Sequence, residues 1–188
     1  MRLNIITSNR GKLEEFRAAL VPLGIEVAHL PIGYEEVQVD TLEEVVDHGL
    51  KELRARGIGD LVIDDSGLFI DALKGFPGVY SAYALRTLGN RGVLRLMEGA
   101  EGRGARFTCC IGCSIEGSED IVVCESCEGQ IAKNEKGEGG FGFDPIFIPE
   151  GEDRTFAQMP LAEKNAISHR GKAIRSFVEA LEERTGQR

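Results

Sequence analysis

The chain has 188 residues, 42% of them hydrophobic and 28% charged, and carries a formal net charge of −9. That length suits one domain, spanning residues 1–188 in two fused lobes, with enough core to fold alone. The acid excess disfavours nonspecific binding to nucleic acid or to an anionic membrane surface. No apolar run is long enough to span a bilayer, and the first residues turn polar too early for a signal peptide, so a cytoplasmic location is expected.

Residues 2–7 read as a short buried strand, and Leu13, Phe16, Leu20 and Leu23 follow at near-helical spacing, with Ser8 or Asn9 as the N-cap. Residues 25–30 read as a second strand. Thr41-Leu42-Glu43-Glu44 is a capping-box pattern that opens a helix with Leu42, Val45, Val46, Leu50 and Leu53 on its buried side. Leu61-Val62-Ile63 is a third apolar run, expected to end where Asp64 and Asp65 begin, since adjacent acids cannot continue a buried strand without partners.

After a Gly75-Phe76-Pro77-Gly78 turn, a helical stretch over residues 92–98 leads into two strands, 106–115 and 121–131. These carry Cys110-x-x-Cys113 and Cys124-x-x-Cys127, a spacing that suits a structural zinc. On a regular strand, however, positions i and i+3 point to opposite faces, so the spacing favours reduced, buried cysteines over a zinc knuckle. A glycine-dense loop at 137–142 and a short strand at 146–148 follow. Ser168 then opens a last helix with Ala173, Ile174, Phe177, Val178 and Leu181 on one side. The pattern predicts an α/β fold, a mixed twisted sheet flanked by helices in two lobes, with a ligand cleft expected between them at the strand ends.

Three groups of residues suggest chemistry. Thr7-Ser8-Asn9-Arg10-Gly11-Lys12 joins a strand to a helix, so backbone N–H groups, the helix dipole and Lys12 can face an anion. It is not a Walker A loop, because Leu13 follows Lys12. Asp64 and Asp65, with Glu36 upstream, offer the oxygen ligands that suit Mg2+, and a carboxylate beside such a metal can deprotonate an attacking water. Phe141-Gly142-Phe143-Asp144, then Lys164, His169 and Arg170, combine aromatic faces for a base with donors for its edge. The competing reading is core packing for the phenylalanines, a solvated Lys164 and a surface His169 and Arg170.

In this order, these stretches resemble the inosine triphosphate pyrophosphatase, or Ham1-like, family. The resemblance is carried by Thr7-x-Asn9-x-x-Lys12-x-x-Glu15, Glu36-x-Gln38, Asp64-Asp65-Ser66-Gly67-Leu68 and Phe76-Pro77-Gly78-Val79-Tyr80-Ser81. Gly140-Phe141-Gly142-Phe143-Asp144-Pro145 and Glu163-Lys164-Asn165-Ala166-Ile167-Ser168-His169-Arg170 complete it. It implies hydrolysis of ITP, dITP or XTP to the monophosphate and pyrophosphate. By matching residues, Thr7, Ser8, Asn9, Arg10, Gly11 and Lys12 would hold the phosphates, and Glu36 and Asp65 would bind Mg2+. Asp65 would also accept the proton of the attacking water, Asp64 would support the acids and Ser66 would touch substrate. Phe141, Gly142, Phe143 and Asp144 would sandwich the base, with Lys164, His169 and Arg170 completing the pocket. Relatives are commonly homodimers, which gives the remaining expectation.

Overall fold

The computed structural model describes residues 1–35 and 37–185. Glu36 lies outside them. Seven strands and six α-helices are present among the described residues: β1 (Arg2–Ile6), α1 (Arg10–Leu20), β2 (Glu26–Leu30), α2 (Leu42–Ala55), β3 (Leu61–Ile70), β4 (Pro77–Gly78), α3 (Ser81–Thr87), α4 (Gly89–Leu96), β5 (Gly104–Ser114), β6 (Ile121–Ile131), β7 (Phe147–Pro149), α5 (Leu161–Ile167) and α6 (His169–Thr185). The strands form one mixed sheet in the order β2-β1-β3-β5-β6-β7, with β4 paired to β3.

β1 pairs in parallel with both β2 and β3, as two crossovers through α1 and α2 require. β4 on β3 and β7 on β6 are antiparallel. Thr108 faces Ser126, and Cys110 faces Cys124, so β5 and β6 run antiparallel in one register.

The chain divides into two compact units. Unit 1 comprises residues 1–65, 109–125 and 171–188, and unit 2 comprises 66–108 and 126–170. In unit 1, Leu13, Phe16 and Leu20 of α1 and Ala173, Ile174, Phe177 and Leu181 of α6 cover one sheet face, together with Leu3, Ile5, Val62, Cys109, Ile111 and Cys113. On the other face α2 lies directly over β5, where a Cβ on Gly112 would run into Val46 and Leu50. That close approach is what the missing side chain permits. Unit 2 has its own core, built from Leu68, Ile70, Val93, Met97, Phe107, Phe143, Ile146, Phe147 and Phe156 among others.

Several expectations are revised. β3 does not stop at the acids: it continues from Leu61 through Asp64 and Asp65 to Ile70. Asp64 can stay in a buried strand because Lys12 and Cys109 meet its carboxylate. The last helix is preceded by a separate one, α5, and Ser168 is the extended residue between the two, with φ −68° and ψ 156°. The expected thiols at 110 and 124 are instead a Cys110–Cys124 disulfide. Cross-strand neighbours in an antiparallel hairpin come close enough to be bridged, which a count of five cysteines could not reveal. Cys113 and Cys127 are buried in the cores of units 1 and 2 respectively, so the two Cys-x-x-Cys motifs do not join into a four-thiolate zinc site.

Candidate functional site

Unit 1 holds the strand-to-helix loop and the acids. Asn9 caps α1, its Oδ1 accepting from the N–H groups of Gly11 at 2.8 Å and Lys12 at 3.2 Å, while its own N–H donates to Thr7 Oγ1 at 3.1 Å. Three of the N–H groups expected to face an anion, those of Asn9, Gly11 and Lys12, are therefore met within the loop itself. The side chains of Ser8 and Arg10 are exposed and that of Lys12 is half-buried. Thr7 is nearly buried, and His29 Nε2 lies 2.9 Å from its carbonyl oxygen, fixing the end of β1.

Lys12 Nζ reaches across to β3 and lies 3.0 Å from Asp64 Oδ2 and 3.0 Å from the Asp64 carbonyl oxygen. The Asp64 side chain is 1% exposed, that of Lys12 17%. A buried carboxylate is costly unless paired, so this contact explains how Asp64 is tolerated in the strand. Cys109 on β5 adds a weak S–H donor 3.8 Å from the same Oδ2. No sequence signal marked that cysteine, because the pairing of β3 and β5 is a tertiary fact. Asp65, next along β3, is half-buried and by strand alternation points to the face opposite Asp64. The two acids therefore have different jobs available to them: Asp64 is engaged with Lys12, and Asp65 presents its carboxylate elsewhere.

Unit 2 holds the aromatic and basic residues. Gly140 has φ +69°, and a Cβ there would strike the Asp144 carboxylate. The turn folds Asp144 back so that its Oδ2 accepts from the Phe141 N–H at 2.8 Å and from Lys164 Nζ at 2.7 Å. Both charged side chains of that pair are 3% exposed. Lys164 Nζ also sits 4.5 Å from the centroid of the Phe141 ring, and the Arg170 guanidinium lies 5.4 Å from it. Arg170 donates to Ser66 Oγ at 3.0 Å. His169 stacks on Phe107, with centroids 4.5 Å apart and planes at 10°.

Lys164, His169 and Arg170 are all buried, at 2%, 4% and 2% exposure, which rules out their being ordinary surface positions. The two phenylalanines separate. Phe143, 4% exposed, is packed in the unit 2 core, whereas Phe141 is half-buried beneath the two cations. Of the two rings expected to sandwich a base, Phe141 is therefore the one with exposed surface. Asn90 on α4 donates to the Gly142 carbonyl at 3.3 Å, Phe107 stacks on His169, and Phe156 lies beside Lys164 and His169; no motif in the sequence marked any of the three. Ser81, which ends the Phe76–Ser81 motif, accepts from the Leu68 N–H at 2.8 Å and donates to the Gly78 carbonyl at 2.7 Å, locking β3 to the turn.

A recess of about 550 Å3 elsewhere in unit 2 is lined by Glu128, Glu150 and Glu152, among others. Three carboxylates repel a polyphosphate, so size alone does not select it as the site. Along the chain, Asp64 and Asp65 end the first segment of unit 1, and Ser66, which accepts from Arg170, begins unit 2.

No helix of the structure is long and apolar enough to cross a membrane. Comparison with known proteins finds relatives that match nearly the whole chain. The dITP/XTP pyrophosphatase of Thermococcus kodakarensis is 52% identical over 183 residues, covering 97% of this chain and 98% of that protein. The dITP/XTP pyrophosphatase of Pyrococcus horikoshii is 49% identical over 181 residues, covering 96% and 97%. Among solved structures, a HAM1 protein from Coxiella burnetii superposes with a TM-score of 0.84 at 30% identity, covering 97% of this chain and 99% of that one. The Staphylococcus aureus Ham1 protein gives 0.81 at 31% identity, covering 96% and 99%. The model of the Ham1 family matches residues 3–180, and the chain belongs to that family.

Proposed function

We propose that the protein hydrolyses the α–β phosphoanhydride of keto-purine nucleoside triphosphates, dITP, ITP and XTP, releasing the monophosphate and pyrophosphate. The observation that carries this reading is near-full-length identity of 52% to a protein named dITP/XTP pyrophosphatase. The two residue clusters supply the chemistry such a reaction needs. Removing these deaminated purines would cleanse the nucleotide pool.

Lys12, Arg10 and Ser8 take the phosphates, with Thr7, Asn9 and Gly11 shaping the loop that carries them. Asp65 accepts the proton of the attacking water, and Asp64 keeps Lys12 in place. Enzymes of this family generally need a divalent metal. The carboxylate donors fit a hard cation, and Mg2+ would be held by Asp65 and Glu36. When bound it supplies charge neutralisation on the phosphates.

Phe141 stacks on the base. Ser66, Gly142, Asp144, Lys164, His169 and Arg170 shape the pocket around it. Donors aimed at position 6 can donate to a keto oxygen but are left unsatisfied against adenine's amino group, and a donor facing a donor costs about 1–3 kcal/mol. Guanine shares the 6-keto group, so its rejection falls to the 2-amino group or to pocket shape. By the same family resemblance, the enzyme works as a cytoplasmic homodimer, which sedimentation of the purified protein tests.

The deciding experiment is pyrophosphate release from ITP, XTP, dITP, ATP and GTP, with and without Mg2+, by wild type and Asp65→Asn. Loss of a general base is expected to lower turnover by about 10²–10⁴-fold. Equal turnover by the variant would remove Asp65 from the chemistry, and ATP cleaved as fast as ITP would remove the 6-keto selection.

A further inference from the structure

The Cys110–Cys124 disulfide is not alone on its face of the sheet. Gly112 of β5 lies under Val46 and Leu50 of α2, so the even-numbered residues of this stretch face that helix while Cys109, Ile111 and Cys113 face the opposite core. Cys110, two residues before Gly112, is on the α2 side. Glu43 stands about one helical turn before Val46 and is carried to the same place. The Glu43 carboxylate and the two sulfurs lie within 4.8 Å of one another, with Cys110 buried, Cys124 half-buried and Glu43 exposed.

We propose that, once the disulfide is reduced, Glu43, Cys110 and Cys124 form a three-ligand site for a thiophilic divalent cation of the Zn2+ class. Metal–sulfur and metal–oxygen bonds of the usual lengths set ligand atoms ~3.5–3.8 Å apart around a tetrahedral ion. Opening the S–S bond lets the sulfurs separate to that distance by side-chain rotation, and the carboxylate is already in range. With three protein ligands the fourth position goes to water.

The chemistry balances simply. A dithiol gives two electrons and two protons to the disulfide, becoming a disulfide itself and leaving thiols at Cys110 and Cys124. Each thiol loses its proton to solvent on binding the cation, so two protons leave per ion bound. Reoxidation of the two thiolates by a disulfide compound forms the Cys110–Cys124 bond again and releases the ion. Occupancy of the site is therefore tied to thiol–disulfide poise. The soft sulfur ligands separate it from the all-carboxylate donor set proposed for Mg2+.

The test uses the full chain, with Mg2+ in excess to fill hard-ligand sites. Protein reduced by a phosphine, then freed of it, is titrated with Zn2+ against a chromophoric chelator, and separately with Co2+. The expected result is one Zn2+ per reduced chain, a thiolate-to-Co2+ charge-transfer band, and neither in the oxidised protein. Cys124→Ser should abolish the band. Glu43→Ala, on an exposed helical turn where folding is not at stake, should weaken Zn2+ at least about tenfold. Failure of the folded, reduced protein to bind Zn2+ would overturn the proposal. Binding unchanged by oxidation, by Cys124→Ser or by Glu43→Ala would overturn it as well.

Discussion

Each unit contains a lysine–aspartate pair with a buried carboxylate, and the two pairs differ in how far the lysine is covered. In unit 2, Lys164 and Asp144 are 2.7 Å apart and both are 3% exposed. Their carboxylate also clamps the Phe141 N–H, and their ammonium lies against aromatic faces. In unit 1, Lys12 and Asp64 are 3.0 Å apart, but the lysine side chain is 17% exposed while the aspartate is 1% exposed. A sealed pair fixes a loop. A pair open on its cationic side holds an ammonium in position while leaving it able to meet an arriving anion.

On that distinction, breaking the sealed pair should cost mainly stability. Asp144→Ala leaves Lys164 charged and buried with its carboxylate removed, and a loss of about 3–5 kcal/mol is expected in urea unfolding. Asp64→Ala should cost less, because Lys12 can turn to water. Equal losses would erase the contrast between the pairs. Phe143→Ala, a core truncation, should also lose about 3–5 kcal/mol.

Breaking the open pair from the lysine side should appear in kinetics. Lys12→Met is expected to lower kcat/KM for ITP by about 10–100-fold, the equivalent of one charged hydrogen bond of about 1.5–3 kcal/mol. Phe141→Ala should raise KM for ITP with a loss of about 1–3 kcal/mol of stacking, and should disturb stability far less than Phe143→Ala. A Phe141 variant with unchanged KM would take the ring out of the base site.

The smallest effect concerns alkaline pH. Burial first, then the charges of Asp60 and Asp120, push the Cys113 thiol up to about 12. The unfolded chain loses this proton at a lower pH than the folded one, so the native state binds more protons between the ordinary thiol range and about 12. Stability from this group is present below the ordinary range and declines as pH rises through that window, on the order of 1 kcal/mol per pH unit. Cys113→Ala should flatten the decline, which denaturation curves at pH 8 to 10 or so would register.

Much of this was legible in the chain itself. Capping chemistry is local, so Thr41 with Glu44 and Asn9 ahead of α1 could be recognised from residue types three apart. Apolar periodicity marked the inner faces of α1, α2 and α6, since a helix repeats over distances that sequence spacing records. The motifs from Thr7 to Arg170 identified the family, because their residue types and order are specific together though weak apart.

Tertiary structure decided what depends on which strand lies beside which. Asp64 continues a buried strand with Lys12 and Cys109 brought to its carboxylate from elsewhere, and nothing near it in sequence announces them. Phe141 and Phe143 are two residues apart with the same side chain, yet one meets cations and the other fills a core. Cys110 and Cys124 became partners through the β5–β6 register, and Glu43 joined them through the crossing of α2 over Gly112. Local rules fix what each segment can form. Burial and pairing energies, which act between segments remote in the chain, decide what each side chain meets.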